Sequence, residues 1–249
     1  MSEFLVKFLR ADGTGPYSGF RWPLPTDDAP GAWVTVAGTL EPCSVGYHLC
    51  RPQDVASWLN AAAYEAEYRG ERIDVDEPGG EGKVVVREAR LVRRLHAWDE
   101  RAMRLFACDC AERVLPIYEA QHRDDQRPRE AIAVARRFAN GEATRDALDA
   151  ARAAAWDAAG DAAWAAAGDA AWDAARAAAG AAAGDAAGDA AWNAAWAAAW
   201  AAAGDAAWDA AWDAERSWQG ARFQAYITGT AQPLTAADLI VPQATEARP

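Results

Sequence analysis

Hydrophobic and polar positions divide the chain into two parts with different periods. In residues 1–95, short apolar runs alternate with polar loops. Four of these runs predict strands, at 4–9, 32–36, 43–50 and 83–91. Residues 52–68 have apolar side chains at helical spacing and predict one helix after Pro52. This part of the chain is therefore expected to be a small α+β domain.

From Trp98 onward the apolar positions recur every three or four residues, which is typical of amphipathic helices. A helix is predicted over 99–118 and a second over 129–138. Pro128 is well placed near the start of the second helix, and Asn140-Gly141 gives a C-terminal stop. The second part is therefore expected to be all-helical.

Residues 152–215 repeat with a period of four, with Trp, Gly or Arg first and Asp, Ala or Asn second, followed by two Ala, except that Glu215 ends the last unit. Ala favours the helix more than any other residue. A step of four residues passes a full helical turn by about 40°, so one long helix would point its Trp side chains in every direction. We therefore predict several antiparallel helices with mostly buried Trp residues, and a break within 176–188, where Gly180, Gly184 and Gly188 recur.

These patterns predict three segments in the 249-residue chain. A small α+β domain covers 1–95, a helical bundle rich in Ala and Trp covers 96–226, and a polar tail covers 227–249. The fold class is thus an α+β N-terminal domain followed by an all-α bundle.

The charge and the cysteine content narrow the possible functions. A net charge of −12 argues against binding to nucleic acid or to an anionic membrane surface. Asp interrupts the Ala-rich run too often for a membrane span, and the first residues lack the apolar stretch of a secretion signal. With four cysteines and no sign of secretion, we expect a cytoplasmic protein with reduced thiols.

The helical part carries several short motifs. They are Cys108-x-Cys110-Ala111-Glu112, Val114-Leu115, Tyr118-Glu119, Asp125-x-Arg127-Pro128-Arg129, Ala131-Ile132, Ala135-Arg136 and Asn140-Gly141, followed by the Ala-rich run. With them, residues 98–226 resemble the putative immunity protein family of bacterial polymorphic toxin systems. The resemblance implies an all-helical protein that binds and neutralises a toxin, and it does not imply an enzyme.

The N-terminal part carries Cys43-x-x-Gly46-Tyr47-His48-x-Cys50 and, later, Lys83. With these residues, 1–95 resembles a small bacterial and phage domain of unknown function. His48-Leu49, the predicted helix through Trp58 to Tyr68, 70–73 and Glu77-Pro78 are also similar to small ADP-ribosyltransferases. That similarity implies an alternative function, in which His48 is the catalytic candidate in an NAD pocket with Tyr64, Glu65 and Glu67.

An acidic column follows the Trp column of the repeat. We expect Asp157, Asp173, Asp205, Asp209 and Asp213 to bind a basic protein partner. The alternative is a solvated face that keeps an Ala/Trp bundle soluble.

A second charged group lies at the ends of the predicted helices. Asp109, Glu112, Asp125, Arg127 and Arg129 are expected to form structural ion pairs.

No metal or cofactor is expected. The Cys43, His48 and Cys50 spacing matches no common zinc motif. Cys108 and Cys110 lie about 200° apart on a helix and are expected to be buried as small apolar side chains. The favoured function is a protein-binding module that neutralises its partner. The alternatives are the enzyme described above and a structural helical protein that self-associates.

Overall fold

The computed structural model describes residues 3–76, 82–164, 173–174, 176–178, 180–181, 187–201 and 205–240. Its contacts define two compact units. The first unit contains Met1–Ala102 and Arg216–Ala231, and the second contains Met103–Glu215 and Gln232–Pro249. The predicted fold class is confirmed, because an antiparallel sheet region over 5–94 is followed by a helical region over 100–227.

The first unit is built on five antiparallel strands. They are β1 (Leu5–Leu9), β2 (Val34–Thr35), β3 (Tyr47–Leu49), β4 (Ala62–Val75) and β5 (Lys83–Arg94). In the sheet, β1 pairs with β4, β4 pairs with β5, and β5 pairs with both β2 and β3. Val6 and Cys50 then exchange two backbone hydrogen bonds of 2.9 Å, so the strands β1, β4, β5 and β3 form a closed ring.

The prediction of a helix over 52–68 is wrong. Pro52–Ser57 forms a short 3-10 helix, and β4 begins at Ala62. In β4, Tyr64, Ala66 and Tyr68 pack against one core, while the residues between them are charged glutamates. This alternation has the two-residue period of a strand. The apolar residues before it have helical spacing, but they do not determine the structure of β4.

Two apolar clusters stabilise the first unit. One is formed by residues from all four strands of the ring together with Trp22. The other joins Phe8, Trp98 and Phe223, whose ring centroids are 4.9–6.3 Å apart in edge-to-face contacts. Phe223 is fully buried, so a residue near the end of the chain completes the core of the first unit.

Among the described residues, five helices with defined bounds follow the sheet, and 173–174, 176–178 and 180–181 are also helical. The five are α1 (Glu100–Gln121), α2 (Arg127–Ala139), α3 (Arg145–Trp164), α4 (Ala187–Ala201) and α5 (Asp205–Ile227). The predicted helices over 99–118 and 129–138 are confirmed as α1 and α2, and both extend slightly further. Gly141 follows α2 with a φ of +77°, a backbone conformation that favours Gly at the end of a helix.

The repeat does not form one straight helix. A Cβ atom placed on Gly180 would lie 3.2 Å from the backbone nitrogen of Ala190. Ten residues along a single helix span about 15 Å, so Gly180 and Ala190 do not belong to one continuous straight helix. This agrees with the predicted break, although 182–186 lie outside the described residues.

The Trp side chains of the repeat differ in burial. Trp212 is 2% exposed and packs edge to face against the partly buried Trp192 and Trp196. Trp156, in contrast, is 43% exposed and is an exception to the prediction that most of these Trp side chains are buried. The drift of the column around the helix explains why equivalent positions of the repeat face different surroundings. The side chains at positions 164, 172, 200 and 208 lie outside what the structure describes.

Candidate functional site

A cleft in the first unit contains His48, the catalytic candidate from the sequence. Its volume is about 570 Å³, within the range of small-molecule sites. We call it the N-terminal cleft. Its lining residues are Lys7, Tyr17, Ser18, Phe20, Trp22, Val36, Cys43, Ser44, Gly46, Tyr47, His48, Trp58 and Lys83.

A strained turn positions one wall of the N-terminal cleft. Cys43 has a φ of +65°, which is rare for any residue other than Gly. The backbone N–H of Cys43 donates a hydrogen bond of 3.2 Å to Nε2 of His48, on β3. Further along, Gly46 has a φ of +140° and no room for a side chain, because a Cβ atom there would collide with Val85. The turn therefore depends on His48 as an acceptor and on Gly46 as a residue without a side chain.

The chemistry of His48 fits positioning better than proton transfer. Burial, and then the positive charges of Lys7 and Lys83, lower the pKa of His48 to about 4. The imidazole is therefore neutral at pH 7, and its Nε2 accepts the hydrogen bond from Cys43. A general base works best with a pKa near the working pH, which this ring does not have.

The other residues of the supposed NAD pocket are not brought to His48. Tyr64 is 4% exposed and lies in the core of the ring. Glu65 pairs with Arg93 and Glu67 pairs with Arg90. Neither glutamate lines the N-terminal cleft.

The sequence reasoning missed the two lysines of the N-terminal cleft as site residues. Lys7 lies on β1 and Lys83 begins β5, so 75 residues of chain separate them. Each is followed on its strand by apolar residues, and neither belongs to a recognisable catalytic or ligand-binding motif. Their rarity in the sequence could have identified them, because they are the only two lysines among 25 basic residues.

The charged residues at the helix ends form ion pairs in the second unit. Arg136 binds both Asp109, at 2.7 Å, and Glu112. Arg129 binds Glu119 at 2.6 Å. These contacts join α1 to α2, since the acids lie on the first helix and the arginines on the second.

The carboxylate of Asp125, in the loop between α1 and α2, accepts hydrogen bonds from two side chains. Arg127 donates to it at 2.6 Å, and the Tyr118 hydroxyl donates at 2.5 Å. The Arg127 guanidinium, helped by that hydroxyl, keeps the pKa of Asp125 well below its usual range. Arg127 also forms an ion pair of 2.7 Å with Asp161 on α3, and thereby links the start of α2 to the repeat.

The acidic column of the repeat is divided between different surroundings. Asp157, Asp209 and Asp213 are exposed. Asp173 is only 5% exposed, so the expectation that it lies on a solvated docking face is not met. A column that drifts about 40° per repeat cannot keep one face of a helix, which accounts for the difference. The side chain of Asp205 lies outside the described part of the chain.

Asp157 lies on α3, and Asp209 and Asp213 lie on α5; we use the name acidic surface for these three exposed carboxylates together. Asp209 and Asp213 lie one helical turn apart on α5, where like charges repel by a few tenths of a kcal/mol. None of the three forms an ion pair with another described residue. Trp156 precedes Asp157 on α3 and is the large apolar side chain that is exposed in the described portion of the second unit. The guanidinium carbon of Arg176 lies 5.8 Å from its ring centroid.

The four cysteines are free thiols. Cys108 and Cys110 are fully buried on α1, and burial raises the pKa of Cys108 to about 12. Within the described ranges, no group of three or more His, Cys, Asp or Glu side chains is arranged to hold a metal ion. Among the helices that can be described, none has both the length and the apolar character needed to cross a membrane.

Comparison with known proteins adds one finding. No curated protein and no solved structure matches the chain. The family model of the Imm-5 like putative immunity protein matches residues 93–226, which is more than half of the 249 residues. The matched range begins at the end of β5 and includes all five helices almost completely. The chain therefore belongs to the family of Imm-5 like putative immunity proteins.

Proposed function

We propose that this protein binds and neutralises a protein toxin through the acidic surface of its helical region. Membership in the immunity protein family carries the proposal, because an immunity protein implies a toxin as partner. The helical region is also the part of the chain that the family model matches. A cytoplasmic location, where a reduced and helical inhibitor would meet its toxin, remains a prediction.

The charge of the acidic surface favours a basic partner. Asp209 and Asp213 repel each other on α5, and a cationic partner would relieve that repulsion. The chain carries a net charge of −12, so the attraction would extend beyond the contact itself and speed the encounter. Increasing salt would screen it.

We propose Trp156 as an apolar anchor beside Asp157, the member of the acidic surface that lies on α3. It is 43% exposed and next to Asp157 on α3. Trp is strongly enriched among the residues that contribute most to binding energy at protein interfaces. We therefore expect Trp156 to control the dissociation rate, whereas the carboxylates control the association rate.

The test uses the protein encoded beside this chain in its genome as the toxin partner. Association is measured by surface plasmon resonance at two salt concentrations, and neutralisation by the growth of cells that produce both proteins. Asp209→Asn with Asp213→Asn should lower the association rate several-fold. Trp156→Ala should raise the dissociation rate by tenfold or more.

A charge-matched control distinguishes a docking surface from a general effect of net charge. Asp27→Asn with Asp28→Asn removes the same charge from an exposed loop of the first unit. Equal association rates for the two double variants would contradict docking at the acidic surface. Sedimentation of the chain alone tests self-association, since a stable oligomer without any toxin would favour the structural alternative.

A further inference from the structure

The two lysines of the chain lie in one place. Of 25 basic residues, 23 are arginines, and both lysines, Lys7 and Lys83, line the N-terminal cleft. An ammonium group is a compact point charge on a flexible stem, whereas a guanidinium is a planar fork. The chain thus uses the compact charge only where a cleft of about 570 Å³ is available.

The two ammonium groups also differ from the arginines in their partners. Arginines of the sheet, such as Arg69, Arg90 and Arg93, pair with glutamates across the strands. Lys7 instead donates to the backbone oxygen of His48 at 2.9 Å, and Nζ of Lys83 lies 3.0 Å from Sγ of Cys43. Neither lysine forms an ion pair with any residue in the described part of the molecule.

A buried positive charge without a carboxylate partner is costly. Lys83 is only 8% exposed, and burial lowers the pKa of Lys7 to about 8. No carboxylate lies among the described residues that line the N-terminal cleft. An anion that entered the cleft would supply the missing negative charge, in a protein that is otherwise strongly acidic.

Aromatic side chains supply the remaining walls. Nζ of Lys7 lies 5.3 Å from the ring centroid of Trp22, and Nζ of Lys83 lies 5.6 Å from that of Trp58. Tyr17 packs edge to face on Trp58 with its centroid 5.9 Å away, although it is 79% exposed. An exposed aromatic ring at the mouth of a cleft is suited to pack against a flat ligand.

We propose that the N-terminal cleft binds a small organic anion that carries a flat aromatic ring. Its phosphate or carboxylate group contacts Lys7 and Lys83, and its ring packs against Tyr17 and Trp58. His48 is a positioning residue, because it holds the turn that carries Cys43. The site lies in the first unit and does not depend on the proposed binding of a toxin.

Calorimetry on the full chain tests this with four probes. Adenosine 5′-monophosphate and indole-3-acetate carry both a ring and an anionic group, while adenosine and inorganic phosphate carry only one each. We expect at least one of the two complete probes to bind with 1:1 stoichiometry, and at least tenfold more tightly than either half-probe. A preference between the two complete probes identifies which combination of ring and anionic group the cleft favours. Failure of both complete probes to bind below about 10 mM, a free energy near −3 kcal/mol, would overturn the proposal.

Variants locate the binding. Lys7→Gln and Lys83→Gln should each weaken the bound probe roughly tenfold to a hundredfold, the range for a hydrogen bond to a charged group. Arg94→Gln removes an exposed positive charge from β5 outside the cleft and should change affinity less than twofold. Equal losses for all three would mean that the probe responds only to overall charge.

Two further measurements remain informative if Lys83→Gln fails to fold. Tyr17→Ala changes an exposed side chain and should weaken the complete probes without affecting inorganic phosphate. Reductive methylation with ¹³C-formaldehyde labels only the α-amino group and the two lysines, because the chain has no other amines. The complete probe should shift both lysine signals, and a probe that binds without moving either one would refute the proposed site.

Discussion

Gly220 tests how tightly α5 packs within the first unit. A Cβ atom at this position would lie 2.5 Å from the carbonyl oxygen of Pro52, 2.8 Å from its carbonyl carbon and 2.9 Å from Cα of Gln53. All three are backbone atoms of the short 3-10 helix, so they cannot move aside as the end of a side chain could. Gly220→Ala would therefore force the two helices apart.

Two effects oppose each other in this variant. In an exposed helix, Gly→Ala stabilises by about 1 kcal/mol. Overpacking a tight contact costs about 1–3 kcal/mol, and backbone contacts below 3 Å belong at the upper end of that range. We therefore expect a net loss of about 1–2 kcal/mol in the free energy of unfolding.

Urea unfolding followed by circular dichroism measures the difference. Ser217→Ala, at an exposed position of the same helix, is the control and should stabilise by about 0.5 kcal/mol. If Gly220→Ala instead stabilises like an exposed helix position, the close approach of α5 to Pro52 does not exist.

Three other predictions follow from described contacts. Phe223→Ala should lower the free energy of unfolding by about 3–5 kcal/mol in a urea titration, because its ring is fully buried; a loss below about 1 kcal/mol would contradict that packing. The same titration should show a similar loss for Trp212→Ala and less than half of it for Trp156→Ala, and equal losses would mean that the two rings are equally buried. The contribution of Asp125 should be complete above about pH 4 and decrease as the pH falls below that value, because Arg127 lowers the folded-state pKa. Asp125→Asn should make the free energy of unfolding less dependent on pH below about pH 4. An unchanged pH dependence would refute the stabilising interaction between Asp125 and Arg127.

Local patterns predicted the elements whose period was unambiguous. The strands β1 and β5 and the helices α1 and α2 follow apolar spacing and turn residues that lie within a few positions of each other. The stretch 52–68 was mistaken for a helix because its first apolar residues have helical spacing, and only the ring of strands decides that β4 pairs with β1. Register in a sheet depends on partners that are distant in sequence.

The site depends even more on distant contacts. Lys7 and Lys83 line the same cleft only because β1 and β5 both belong to the closed ring of strands. His48 could be selected from the sequence, but its role as an acceptor for Cys43 could not, since that role follows from a φ of +65°. In the repeat, Asp157 and Asp173 occupy equivalent positions and yet differ in exposure, so the repeat alone does not determine which carboxylates face water.

The division of the first unit between both ends of the chain has a consequence during translation. Its first segment ends at Ala102, but the ring of Phe223 that completes its core belongs to the second segment, Arg216–Ala231. At about 5–20 residues per second, the ribosome needs roughly 6–23 s to make the intervening residues. During that interval Phe8 and Trp98 lack the ring that covers them in the finished protein. The part of the chain that is made first therefore completes its core only after Arg216–Ala231 has been made, and until then the nascent N-terminal segment presents these two apolar rings to chaperones and proteases.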